Sequence, residues 1–277
     1  MSYLDLQTRI ADELSRGDLT TEIQDEIASA IRWYEYERLP WNEASTAAFN
    51  TINGQRYYPL PANFLTVTDV LSQIGNYTYK MDGTTEQYID SIDWGDVFWT
   101  SYPIIYSLWS SQIRLFPPPQ AGLPVQIKGT IRQLPLLTPS LTAWTADTAY
   151  TVGQTVPDTY GNVERCTVAG TSGSTTPAWP VATTPTTGIG SASIPPVVGQ
   201  TTTDGTVTWE LVGTTTNVWT VQAEELIRSR ALMNLYGRYL RDTAQAQVMG
   251  ALEKMALENL LQKNFGSIAL GRVRAHF

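Results

Sequence analysis

Residues 20–60 read TTEIQDEIASAIRWYEYERLPWNEASTAAFNTINGQRYYPL, and a change of period inside this stretch decides the fold class. Up to residue 39 the apolar side chains Ile23, Ile27, Ala30, Ile31 and Tyr34 recur at helical spacing. Thr20 or Thr21 is the expected N-cap, and Leu39-Pro40 the stop, because a residue before proline is pushed out of helical backbone. From Phe49 the period becomes two. Asn53-Gly54 is a strong type I′ signal for a hairpin between strands at 49–52 and 55–60. Pro59 and Pro61 confine the second of these strands to a sheet edge.

Working outward, Ser2 and Asp5 form a capping box that opens a first helix through Tyr3, Leu6, Ile10 and Leu14, with Gly17 as its end. Two short helices joined by a tight turn make an αα-hairpin, and neither is stable alone. C-terminal to the first hairpin, further strands are expected at 64–71 and 77–81, with Asp82-Gly83 as a turn. One short helix fits within 84–94. A hairpin follows from 104–108 to 113–116 across Ser110-Ser111. Pro117-Pro118-Pro119 is an extended connector to a last strand at 125–131.

Composition shifts near Leu141. As far as Asn217 the chain is rich in Thr and Gly and nearly free of basic residues, with Trp144, Tyr150, Tyr160, Trp179 and Trp209 spaced through it. Residues 183–200 read as a loose loop. Helix resumes with Thr220 as N-cap and an apolar face of Ala223, Leu226, Ile227, Ala231, Leu235 and Tyr239. A second stretch after an Asp242 cap carries Val248, Leu252, Met255 and Leu260. Around Gly266 and Gly271 the residues 264–277 read as an extended arm. The expected fold class is α+β: a helical bundle formed by N- and C-terminal helices, with a β-rich middle domain and an inserted small β-module. The expected divisions are 1–47, 48–140, 141–217, 218–264 and 265–277.

The 277 residues include 42% hydrophobic and only 16% charged side chains, below the ~25% usual for globular proteins. No apolar run reaches the ~18 residues of a membrane span, and no secretory signal is visible, so residence in a cytoplasm is expected. A single cysteine, Cys166, excludes an internal disulfide, and a single histidine, His276, removes the usual donor for triads and metal clusters. The net charge of −8 divides as about −5 over 1–40, −2 over 41–140, −4 over 141–219 and +3 over 220–277. Ends of opposite sign favour packing of the terminal helices on each other or on a neighbouring subunit. An acidic chain is a poor nonspecific DNA binder.

Few residues suggest chemistry. Asp90, Asp93 and Asp96 make a loose acidic cluster, and Glu224-Glu225 stand at a helix start, where the helix dipole already explains them. Paired carboxylates hydrolyse glycosides only when held at the right separation. No phosphate-binding glycine loop, zinc motif or nucleophile elbow is present. No catalytic, cofactor-binding or metal residue is therefore expected, and the chain reads as a non-enzyme.

One ordered set of segments is more specific. Asp5-Leu6 through Arg9-Ile10-Ala11-Asp12-Glu13-Leu14 comes first, then Asp18-Leu19-Thr20 and the long helix after it. Tyr58-Pro59-Leu60-Pro61-Ala62-Asn63-Phe64-Leu65 follows, then Ile113-Arg114-Leu115-Phe116-Pro117-Pro118-Pro119 and Leu134-Pro135-Leu136-Leu137 ahead of the C-terminal helices. Over 1–140 and 220–277 this order resembles the head-to-tail adaptor proteins of tailed bacteriophages. The resemblance implies a homo-oligomeric ring of twelve copies beneath the portal protein, at the head–tail junction of the virion and assembled in the host cytoplasm. Such a ring extends the DNA channel, passes the genome without specific binding, and offers a platform to tail nozzle or tail fibre proteins. The C-terminal arm, with Phe265, Ile268, Leu270, Arg272, Val273, Arg274 and Phe277, would dock on the portal. Within the insertion, Ala143-Trp144, Thr148-Ala149-Tyr150 and Tyr160-Gly161-Asn162 look like the start of chitin-binding-type modules. The adjacent aromatic pair of a sugar platform is replaced by Cys166-Thr167-Val168. Trp144, Tyr150, Tyr160 and Trp179 are the candidate glycan or partner contacts. On the alternative reading the chain is a tail or decoration protein that binds host-surface polysaccharide through them. The competing reading makes these aromatics the module's own core.

Overall fold

The computed structural model describes residues 1–37, 39, 41–93, 100–181 and 196–271, with the side chains at 46, 47 and 263–271 outside the description. Among the described residues the protein is mixed α+β, with six α-helices and a large seven-stranded sheet. Two compact units are present. One is Asn42–Arg132; the other joins Met1–Trp41, Gln133–Val181 and the chain from Pro196 onward.

Helix α1 (Tyr3–Leu14) opens on the expected capping box: Ser2 Oγ accepts from the Asp5 N–H at 3.1 Å, and Asp5 Oδ2 accepts from the Ser2 N–H at 2.9 Å. It ends at Ser15 in left-handed backbone, two residues before Gly17. Helix α2 (Thr20–Tyr34) starts after Leu19 without a side-chain cap; the Thr20 hydroxyl donates instead to the Gly17 carbonyl. Leu6, Ile10, Ile23, Ile27 and Ala30 are fully buried here. At ~1.5–3 kcal/mol per large apolar side chain, this seam gives two short helices the stability they lack alone.

The Asn42–Arg132 unit holds β1 (Glu43–Asn50), β2 (Tyr57–Pro59), β3 (Phe64–Ile74), β4 (Tyr77–Gly83), α3 (Glu86–Ile92), β5 (Ile105–Trp109), β6 (Gln112–Phe116) and β7 (Pro124–Ile131). Strand order is β1-β7-β3-β4-β5-β6-β2. The expected hairpin across Asn53-Gly54 does not form. β1 starts at Glu43 and pairs antiparallel with β7, while β2 pairs with β6. The Asn53-Gly54 turn is tied elsewhere: the Thr51 N–H donates to Leu123 O and the Gly54 N–H to Pro119 O, both at 2.9 Å. An eight-residue strand finds an eight-residue partner in β7, which outweighs a local turn preference. β2 does lie at the sheet edge, as Pro59 requires. Asp82 and Gly83 are not a turn but the end of β4, in parallel register with Ile105 and Tyr106. α3 supplies the crossover that a parallel pair needs. The β5–β6 hairpin turns at Ser110-Ser111 as expected, both residues having positive φ.

Residues 137–181 and 196–214, part of the same compact unit as the terminal helices and here called the inserted unit, carry β8 (Ala149–Tyr150), β9 (Thr155–Pro157), β10 (Asn162–Val168), β11 (Gly170–Thr171), β12 (Thr201–Asp204) and β13 (Val207–Thr214). Four of these make a sheet in the order β12-β13-β10-β9, and β11 pairs with β8. Tyr150, Val156, Cys166, Trp179, Val207 and Trp209 form its own core. Its two ends meet: the Leu137 N–H donates to Thr214 O at 2.8 Å, and the Thr214 N–H to Pro135 O at 2.9 Å.

Then follow α4 (Val218–Val221), α5 (Glu224–Leu235), a π-helical turn (Tyr236–Leu240) and α6 (Thr243–Gly271). α4 is capped by Asn217 and buries Trp219 edge-on against Trp41, ring centres 6.1 Å apart. Leu226, Ile227, Ala231 and Leu235 of α5 enter the same apolar core as α1 and α2. Tyr239, read as part of that face, is instead exposed, since the wider π turn rotates it outward. α6 starts after an Asp242 cap, as expected. The backbone expected to be an extended arm continues as α6 through Gly271.

Candidate functional site

The opposite charges of the two chain ends are spent within the helical unit. Arg9 pairs with Glu224 at 2.9 Å, Arg228 with Glu13 at 3.0 Å, and Arg238 with the buried Glu26 at 2.8 Å. Asn234 also donates to Glu26 at 2.8 Å. Glu224, one of the two sequence-level carboxylates at a helix start, is thus an ion-pair partner; Glu225 beside it is exposed.

α6 is fixed by a buried polar anchor. Its Glu253 accepts a hydrogen bond from the Tyr34 hydroxyl and one from Arg230 Nη1 at 3.0 Å. The Arg230 guanidinium in turn lies 4.1 Å from the centre of the Trp33 ring. Burial, then the hydrogen bond and the negative charge of Glu253, push the Tyr34 hydroxyl well above its usual range, so it stays a donor. Met249 and Ala256 flank Glu253 and enter the apolar core. With Met249, Glu253 and Ala256 inward, the helix turns Val248, Leu252 and Met255 outward.

That outward face is the candidate site. Val248, Leu252 and Met255 are 51%, 43% and 58% exposed. Their i, i+4, i+7 spacing aligns them on one side of a helix. Exposed Ala244, Ala251, Asn259 and Gln262 fall on the same arc of about 100°, and among the described side chains of the helix no charged one does. These residues carry an apolar stripe of the width a helix normally buries, here without a cover among the described residues. The sequence groups Val248, Leu252, Met255 and Leu260 as the apolar residues of this helix; Leu260 packs against the core, and the other three face outward. The packed face carries a glutamate, and periodicity gives no credit to a buried carboxylate.

The other sequence candidates fall as follows. Phe265, Ile268 and Leu270 stand on the helical backbone of α6 with side chains outside the description, and Arg272, Val273, Arg274 and Phe277 lie outside the described residues. In the inserted unit Tyr150 and Trp179 are buried around Trp209, with ring centres 4.9 and 6.0 Å from it. Trp144 is half-buried, its indole N–H bound to Asp204 Oδ2 at 2.8 Å; Asp204 also accepts from the Trp209 indole at 3.1 Å and the Gly173 N–H at 2.7 Å. Tyr160, 63% exposed, is the one of the four whose ring is open to solvent.

Asp90 and Asp93 do converge, but on arginine. Arg114, itself buried, donates to Glu86 at 2.6 Å, to Asp90, and to Asp93 at 2.8 Å, and Arg56 also pairs with Asp93. Burial raises the Glu86 carboxyl, but hydrogen bonds from Ser107, Tyr57 and Arg114 outweigh it and hold Glu86 below its usual range. These acids tie α3 to the β5–β6 hairpin. Asp96 lies outside the described residues. Among the described residues no group of three or more His, Cys, Asp or Glu side chains is placed to hold a metal ion, and no helix is long and apolar enough to cross a membrane.

An apolar helix face left exposed on a mixed α+β scaffold is a feature that assembly proteins share. Residues 1–163 match the SU10 adaptor protein family, and the chain belongs to that family. It is a phage adaptor-type structural protein, a virion component. The match takes in α1, α2, the large sheet and the first strands of the inserted unit. The C-terminal helices, included in the resemblance drawn from sequence, lie beyond it. No curated protein matches the chain.

Proposed function

We propose that the protein is a head-to-tail adaptor that assembles as a ring of twelve copies beneath the portal, at the head–tail junction, after synthesis in the host cytoplasm. The observation that carries the reading is the charge-free stripe Val248-Leu252-Met255 on α6. A helix buries its apolar stripe and turns its polar side, here Gln247, Lys254 and Glu258, to solvent, so a second apolar stripe calls for a second cover. α6 buries one side on its own chain, and a neighbouring copy is the cover for the other. The terminal helices form the ring body as a bundle. The segment 264–277 reaches the portal through Phe265, Ile268, Leu270, Arg272, Val273, Arg274 and Phe277. Tail nozzle or fibre proteins dock on the opposite side, and genomic DNA passes through the central channel without specific binding. The inserted unit is a peripheral module of the chitin-binding type, with Trp144, Tyr150 and Trp179 serving its own core. The test is the oligomeric state of the full chain alone and with portal protein. Rings support the reading, and a protein that stays monomeric under both conditions overturns it.

A further inference from the structure

The inserted unit contains a carboxyl group where its fold places apolar side chains. In antiparallel register Glu164 of β10 stands directly between Val156 of β9 and Leu211 of β13, both fully buried. Directly opposed residues of neighbouring strands share a face. Cys166, two positions along β10, points to the same side and belongs to the apolar core with Trp209. Glu164 is 0% exposed, and neither of its carboxylate oxygens has a hydrogen-bond partner among the described residues. A buried polar group without a partner calls for a physical reason.

The charged groups around it offer no compensation. β9 contributes Thr155, Val156 and Pro157, none of them charged. Asp158, just after β9, is committed to the Tyr160 and Asn162 N–H groups and the Asn162 amide. On β13 the nearest ionisable group is Glu210, which is paired with Arg165 at 2.8 Å. Arg165, the neighbour of Glu164 on β10, is exposed on the other face. The surroundings are therefore apolar or negative.

We propose that the inserted unit is a proton-linked element: it folds around a neutral Glu164, and its β9-β10-β13 sheet opens as that residue ionises. Desolvation, followed by repulsion from Asp158 and Glu210, pushes the Glu164 carboxyl up to about 8. In an opened strand the group returns toward its ordinary value of 4.5. Between those two values the closed form holds a proton that the open form has released. Stability is then full at and below the ordinary value, falls as pH rises toward the folded value, and levels off above it. The opening equilibrium grows by up to about tenfold per pH unit inside that window.

The chain provides its own reporter. Cys166 is the single cysteine of the sequence, is fully buried, and shares the core face with Glu164. Labelling of this thiol by a neutral maleimide in the full-length protein measures opening at β10. Comparison with Glu164→Gln cancels the pH dependence of the thiol itself. From about pH 5.5 to about pH 8 the ratio of wild-type to variant rate is expected to climb by about tenfold or more. A ratio that stays level overturns the proposal. If the variant does not fold, hydrogen exchange of the β10 peptide in the wild type, corrected for intrinsic rates, decides. Looser protection at the higher pH supports the proposal, and equal protection overturns it.

Discussion

Replacing Glu253 by alanine removes the acceptor that both Tyr34 and Arg230 use, while leaving the apolar neighbours Met249 and Ala256 in place. A hydrogen bond to a charged partner contributes about 1.5–3 kcal/mol. The Tyr34 bond is buried and takes a value in that range, about 2 kcal/mol. Arg230 keeps its stacking on Trp33 and some access to water, which reduces its share to about 1 kcal/mol. Glu253→Ala is thus expected to weaken the docking of α6 by about 3 kcal/mol, and Tyr34→Phe by about 2 kcal/mol. Because both variants break the same bond, the double variant should lose little more than Glu253→Ala alone, a coupling of about 1.5–2 kcal/mol. Native-state hydrogen exchange of the 243–262 segment reads each loss locally, without requiring the whole chain to unfold as one unit. Simple additivity of the two variants, or a loss below about 1 kcal/mol for Glu253→Ala, would show that the anchor does not hold the helix.

Three further outcomes follow from the same geometry. Replacing residues 138–213 by a short linker should leave the helical unit folded, since Leu137 and Thr214 already meet and loop closure varies only logarithmically with length; loss of the helical circular-dichroism signal would contradict this. Arg114→Met strands Glu86 and Asp93 without their main partner and should free α3, with a loss of about 2–4 kcal/mol, discounted because Asp90 is largely solvated; unchanged exchange in 86–92 would refute it. Assembled protein should bind duplex DNA weakly even at low salt, given its net charge of −8, whereas tight binding with a steep salt slope would point to a DNA-gripping role.

The parts of the fold legible in the sequence were those governed by local rules. The Ser2–Asp5 box, the stripe Ile23-Ile27-Ala30 and the edge position of Pro59 each follow from a few neighbouring residues. Long-range choices were not legible. β1 pairs with β7 about eighty positions later, so the Asn53-Gly54 signal named a turn but not its strands. Gly266 and Gly271 suggested an arm, yet a glycine costs a helix only about 1 kcal/mol, and the long run of good helix formers before them carries α6 onward. The exposed stripe of α6 is not legible in the sequence for a related reason. Val248, Leu252 and Met255 have the spacing of a core face, and only the partners of Glu253 on α2 and α5 show that the helix is turned the other way.

The central claim is that the exposed stripe of α6 is covered by another copy of the chain. Its most direct test is native mass spectrometry of the full-length protein, alone and with portal protein, for the wild type and for Leu252→Glu with Met255→Glu. Both side chains are exposed in the single chain, so the charges should leave the fold and its circular dichroism unchanged. Buried in an interface, two unpaired carboxylates should each oppose association by several kcal/mol. The account predicts a ring for the wild type and monomers for the variant. A variant that assembles as the wild type does would contradict it.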